Sequence, residues 1–356
     1  MLILTRVMLV CFASLGAFAS DNSEPAQLIE HGHFKQGRTL VEKRLAANPK
    51  DADALVLMAR VKLAYNDGEE ATRLLQQALS IQPNNSAAHL YMAEALGRKV
   101  DNAGFFEKMG LAKKAKSETE QALSADPKNL DAIEGMMDFY LQAPGIVGGS
   151  RSKAEELSNR LLALDPVQGN LAKGRIASHE KEYDKVEGFY LKALQSDPQS
   201  YRALLTLGVL YSQEHWKNDD KSVDYTQKAM QADPSRSGPY TVLAQIYIGR
   251  ERWDDLDRLL SKAEKALPDN LVPYFVAGRT LVTSGKDPVR AEKYLRKYLT
   301  QQEPEGNTPP LAAAHWRLGL ALEKQGRKQD AIQEIQTAVQ MKPDLKDAQK
   351  DLKRLK

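Results

Sequence analysis

Proline recurs in one kind of context along the 356 residues of this chain, and its spacing constrains the fold more than any other feature. It stands in "NPKD" (Pro49), "QPNN" (Pro83), "DPKN" (Pro127), "DPVQ" (Pro166), "DPQS" (Pro198), "DPSR" (Pro234), "LPDN" (Pro268), "EPEG" (Pro304) and "KPDL" (Pro343). The successive spacings are 34, 44, 39, 32, 36, 34, 36 and 39 residues. A period near 34 predicts stacked helical hairpins. Proline lacks the amide hydrogen a helix interior requires, so it closes one helix, and the polar residues after it cap the next.

Two amphipathic stretches alternate between the prolines. The stretch ahead of the proline carries a small residue, as Ala78 in "EEATRLLQQALSIQP", Ala122, Ala193 and Ala338. The stretch before it sets large apolar residues around a Gly or Ala at helical spacing: Leu207-Gly208-Tyr211, Leu243-Ala244-Tyr247 and Leu318-Gly319-Leu322. Small residues mark where two helices cross, and the large ones interdigitate around them.

This pattern resembles the tetratricopeptide repeat from end to end of the expected mature chain. It is clearest in 312–343, through Leu318, Gly319, Leu322, Gly326, Ala331, Ala338 and Pro343. Lys62 and Leu161 depart from it, the first standing where a large apolar residue is usual and the second where a small one is. The resemblance implies an all-α fold, a right-handed superhelical solenoid of stacked antiparallel helix pairs. Its units are expected at 25–49, 52–83, 86–127, 130–166, 167–198, 201–234, 237–268, 271–304 and 312–343, with a polar capping helix over 344–356.

The first residues, "MLILTRVMLVCFASLGAFAS", read as an export signal over 1–19. Arg6 precedes an uncharged run from Val7 to Phe18, and Ala17-Phe18-Ala19 supplies the small-x-small pattern cut by signal peptidase. The run is too short for an ordinary membrane-spanning helix. Val10 occupies the place where a lipobox has a small residue, so Cys11 is not expected to carry lipid. Cleavage would remove the only cysteine, leaving a mature chain without disulfides that relies on packing. The expected location is the bacterial periplasm, with secretion as the second choice.

Two units exceed the period. Ten extra residues fall in 97–108, where Phe105, Phe106 and Met109 stand beside Lys108, Lys113, Lys114 and Lys116. This is either a basic amphipathic patch for a partner or membrane surface, or a lengthened second helix packed on its neighbour. Five more fall around "APGIVGGSRSK" (143–153), whose glycines followed by Arg151 and Lys153 invite comparison with a phosphate loop. A Walker-type loop needs Gly-Lys-Ser/Thr after a strand, whereas here Gly148-Gly149-Ser150 follows a helical "DFYLQ". The stretch is expected to be an enlarged turn, with Ser150 capping the next helix.

Nothing catalytic stands out. His31 and His33 flank Gly32 without a nearby third ligand and are expected in a solvated turn, and His89, His179, His215 and His315 are scattered. No nucleophile, metal or cofactor cluster appears, so no enzymatic activity and no cofactor is expected. With 50 basic and 47 acidic side chains, net charge +3, no global field argues for nucleic acid.

The expected working surface is therefore the groove lined by the first helix of each unit. In the N-terminal half the residues beside the packing stripe are charged: Arg60, Glu94, Glu134, Asp138 and Arg175. In the C-terminal half they are Leu205, Val209, Thr241, Gln245, Phe275, Arg279, Trp316 and Leu320, mostly apolar or aromatic. Phe275 and Trp316 are candidate anchors, the alternative being that they pack beneath the neighbouring unit or the cap. The cluster of Lys and Asn with which some tetratricopeptide proteins clamp a peptide carboxylate is absent. These readings lead to a protein- or peptide-binding scaffold or adaptor in the envelope, without integral membrane insertion. The alternative is an accessory subunit that positions an envelope enzyme, for example in polysaccharide export or glycan processing.

Overall fold

The structure, a computed structural model, describes residues 23–100 and 103–356. The export signal, its cleavage point and Cys11 lie outside the described residues. Every regular element among the described residues is helical. None of the helices is long and apolar enough to cross a membrane.

The chain divides between Leu164 and Asp165 into two compact units. The first contains α1 (Glu24–Glu30), α2 (Phe34–Ala47), α3 (Ala52–Ala64), α4 (Gly68–Ile81), α5 (Ser86–Val100), α6 (Phe105–Ala125), α7 (Leu130–Gln142) and α8 (Arg151–Leu164). The second contains α9 (Pro166–His179), α10 (Tyr183–Ser196), α11 (Tyr201–Ser212), α12 (Asp219–Ala232), α13 (Gly238–Gly249) and α14 (Trp253–Ala266). It continues through α15 (Val272–Ser284), α16 (Pro288–Tyr298), α17 (Leu311–Lys324), α18 (Lys328–Met341) and α19 (Lys346–Leu355). Within each unit, consecutive helices pack as antiparallel hairpins. The first helices of successive hairpins also touch: α3 with α5 and α5 with α7 in one unit, then α11 with α13, α13 with α15 and α15 with α17 in the other.

The residues two places past Pro49, Pro83 and Pro127 cap the helices that follow. Asp51 accepts a hydrogen bond from the Ala54 amide at 2.9 Å, Asn85 from Ala88 at 2.9 Å and Asn129 from Ala132 at 3.0 Å. Each side chain satisfies a donor that the first helical turn leaves without an intrahelical partner. Small residues then set the spacing within a hairpin. At Gly319, where α17 crosses α18, a Cβ would lie 2.4 Å from Ile335 Cγ1, so glycine alone permits the approach.

The α11–α12 crossing is held differently. Ser222 and Thr226 are fully buried there, and the Ser222 hydroxyl donates to the Gly208 carbonyl at 2.6 Å. The Thr226 hydroxyl has no hydrogen-bond partner. A buried hydroxyl without a partner carries its desolvation cost uncompensated, and an apolar group of the same shape does not. Thr226→Val is therefore expected to raise unfolding free energy by about 1 kcal/mol. A chemical denaturation midpoint that falls instead would show that the hydroxyl is needed.

Two details differ from the sequence expectation. Pro166 does not close a helix; it is the first residue of α9, where its missing amide costs nothing, and Asp165 caps that helix through the Gln168 amide at 2.9 Å. The seam between the compact units thus falls immediately ahead of this proline. Pro304 lies well beyond the end of α16 at Tyr298. Residues 299–310 fold back instead, latched by the buried Tyr298 hydroxyl, which donates to the Pro309 carbonyl, while Glu305 is buried beneath. Of the two readings of the insertion near 97–108, the lengthened second helix is the one found: α5 has 15 residues and α6 has 21. "GLAKKAK" consists mostly of good helix formers, so the added length extends the hairpin.

The glycine-rich stretch is a structural turn. Ala143 ends α7, Gly145–Val147 make one 3-10 turn, and Gly148 has φ +101°, a conformation that disfavours a side chain. A Cβ on Gly149 would lie 1.7 Å from the Ala143 carbonyl oxygen. The Ser150 amide donates to the Tyr140 carbonyl at 2.8 Å, which closes the turn and starts α8.

Candidate functional site

The residues singled out in the first unit are more deeply engaged than a groove lining requires. Arg60 is buried, with its guanidinium 5.1 Å from the Tyr91 ring centroid, and Asp138 is buried as well. Glu94 and Glu134 are half-buried, and Glu94 accepts from Arg98 at 2.7 Å. Arg175 belongs to the second unit, on α9.

The two insertions present different surfaces. Phe106 is 83% exposed, Met109 is half-buried, and Phe105 opens α6 with its side chain outside the described residues. Arg151 is exposed and paired with Glu155 at 2.9 Å. Lys153 lies over the Tyr140 ring at 5.2 Å, with Lys116 also above that ring at 5.8 Å. The turn at 31–33 is less solvated than expected. His31 is half-buried and His33 buried, because they end α1 and begin α2 where those helices meet. Among the described residues no group of three or more His, Cys, Asp or Glu is placed to hold a metal ion.

In the second unit the first-helix face divides the expected residues into two sets. Val209 and Gln245 are exposed, and Leu205, Thr241, Arg279 and Leu320 are half-buried. Phe275 is not a surface anchor: it is 3% exposed, tilted against the Tyr298 ring at 5.2 Å between centroids. Trp316 is half-buried and packs on the core, and its indole N–H donates to Asp351 Oδ2 on α19 at 2.9 Å. The cap therefore occupies one aromatic and the α16 tyrosine the other.

What remains open is a cleft of about 530 Å³ where α15, α17 and α19 meet. Val282, Thr283 and Leu320 supply its apolar surface, and Arg317 and Lys324 its charge. Glu323 lines it as well, with its carboxylate held by both terminal nitrogens of Arg354. Arg317 stacks on the Trp316 ring at 3.9 Å. Burial, and then the charge of Arg279, lower the Arg317 pKa from its ordinary value, with Asp347 and Asp351 opposing. A guanidinium in such surroundings stays protonated and is a strong donor to anything anionic.

Arg317 was not evident from the repeat pattern, though a signal was present. The residue two places before the crossing position is Thr206, Val242 and Val276 in the preceding units, and Arg317 here. A cation where the three units before it carry Thr or Val departs from them.

Two tetratricopeptide repeat family models match the chain, at residues 28–95 and 275–346, one in each compact unit. Together with the helical hairpins described above, they place this chain among the tetratricopeptide-repeat proteins. Solved structures with similar folds include a thermophilic repeat protein of Thermus thermophilus, 22% identical, TM-score 0.45, covering 58% of this chain and 95% of that one. Yeast Tom70 is 16% identical with a TM-score of 0.49, over 93% of this chain and 79% of that one. A repeat protein of Parabacteroides merdae is 17% identical with a TM-score of 0.42, over 85% and 98%. No curated protein matches the chain. Tetratricopeptide-repeat proteins bind protein or peptide partners and are generally non-catalytic scaffolds.

Proposed function

We propose that this protein is a non-catalytic scaffold or adaptor that binds a protein or peptide in the cell envelope, with the periplasm as its compartment. The observation that carries the binding face is the side-by-side stacking of α11, α13, α15 and α17, along which Val209 and Gln245 stay exposed beside half-buried Leu205 and Thr241. A row of parallel helix faces at fixed spacing presents a preordered surface, which lowers the ordering cost of binding. Support for the compartment comes from Arg6, the uncharged run after it and Ala17-Phe18-Ala19.

A photo-crosslinking residue placed at Val209 or Gln245 in intact cells is expected to capture a discrete protein partner. The same residue at Lys262, exposed on the second helix α14, should not. Equal capture at all three positions, or none at any, would remove the assignment of this face. N-terminal sequencing of the protein recovered from the envelope should begin at Ser20; Met1 on the folded product would remove the export reading.

A further inference from the structure

Two arginines of the second unit, Arg279 and Arg317, form no ion pair with a carboxylate among the described residues. The guanidinium of Arg279 on α15 lies over the Phe275 ring at 6.0 Å, and that of Arg317 on α17 over Trp316 at 3.9 Å. Neither makes a side-chain hydrogen bond or ion pair among the described residues, and neither does Lys324 about two turns further along α17. For the two arginines this is unusual in the unit. Arg250, Arg252, Arg258, Arg290, Arg296, Arg327 and Arg354 there all bind carboxylates. The nearby acids are either committed or distant. Arg354 holds Glu323, Asp351 takes the Trp316 indole and Arg354, and Asp347 acts on Arg317 only from beyond ion-pair distance.

Two like charges brought together in a half-buried place cost stability unless something answers them. Aromatic faces beneath both guanidiniums hold the planes in position and leave their N–H edges unused. Beside them the cleft offers Val282, Thr283 and Leu320. We infer that this cleft docks an acidic segment of a protein partner, with carboxylate side chains on Arg279, Arg317 and Lys324 and an apolar side chain against Leu320. Carboxylates suit the guanidinium fork, which offers paired N–H donors to paired oxygens. The site is short and partly apolar, whereas a nucleic acid would be tracked by a longer basic path, which the near-neutral chain does not supply.

This inference rests on the scaffold reading and adds the chemistry of what is bound. The test uses the full chain and a ten-residue peptide of Glu and Asp around a central Leu, acetylated and amidated so that no terminal charge contributes. Its Gln/Asn counterpart and a single-stranded oligonucleotide of equal charge serve as comparisons. Fluorescence anisotropy is expected to show the acidic peptide binding at least tenfold more tightly than the other two, with affinity falling as salt rises. The double variant Arg279→Gln, Arg317→Gln should lose tenfold or more, and Arg258→Gln, which removes an exposed paired arginine, should change nothing.

The double variant should also melt no lower than the parent, because it removes a repulsion. If it melts lower, the single variants Arg279→Gln and Lys324→Gln carry the binding comparison. Equal binding of acidic and neutral peptides, tighter binding of the oligonucleotide, or unchanged binding in the variants would overturn the inference. A partner captured at Val209 together with such a negative result would leave the scaffold reading standing and remove only the acidic-ligand assignment.

Discussion

Replacing Ala193 by Glu is expected to unfold part of the second unit. Ala193 is fully buried on α10, which packs against both α9 and α11. A carboxylate there has neither room nor a partner, and its burial is expected to cost several kcal/mol, on the order of 3–5. Because each helix contacts only near neighbours along the chain, the loss should spread unevenly. Amide protection in α9 to α12 should fall first, α17 to α19 should follow later, and the first unit should keep its protection. Simultaneous loss everywhere, or no loss, would contradict a chain of nearest-neighbour contacts.

Truncating Trp316 to Ala is expected to release the C-terminal cap. The indole packs on the core, donates to Asp351 on α19 and supports the Arg317 guanidinium. Removing a buried Trp typically costs about 3–5 kcal/mol, and the partial exposure here puts the expected loss near the lower figure. Hydrogen exchange should show residues 346–355 losing protection before any other helix. Trp316→Phe keeps most of the packing but not the hydrogen bond, and should fall between the two. A melting temperature unchanged in the Ala variant would mean that the ring is a surface anchor after all.

The two aromatic positions show how far sequence reasoning reaches. Phe275 and Trp316 both stand three residues before a crossing glycine, at the same register of adjacent first helices. Periodicity places them identically. Their surroundings differ because Tyr298 of α16 covers one and α19 covers the other, and those contacts depend on residues 23 and 35 positions away in sequence. Arg317 was missed for a related reason: its distinctive neighbours are Arg279, one repeat earlier, and the cap, one hairpin later.

By contrast, the helical character and the caps were legible because proline, Asp, Asn and Ser act on backbone groups two to four residues away. The lengthened α5–α6 hairpin lies between these cases. Counting residues located the extra length, and only the helix-forming composition of 110–116 indicated that it would extend a helix.

The near-neighbour pattern also bears on how the chain reaches its native state. Each helix meets partners one or two elements away, so the contacts have low sequence separation and ordering them closes only short loops. A polypeptide that emerges N-terminus first can complete one hairpin while the next is still being delivered, and its earliest structure does not wait for its last residues. The exception is the final surface. The apolar side of α17 and α18 stays uncovered until α19 arrives, so Trp316 is the last large side chain to find its place, and a nascent chain stalled before residue 346 would present it to solvent.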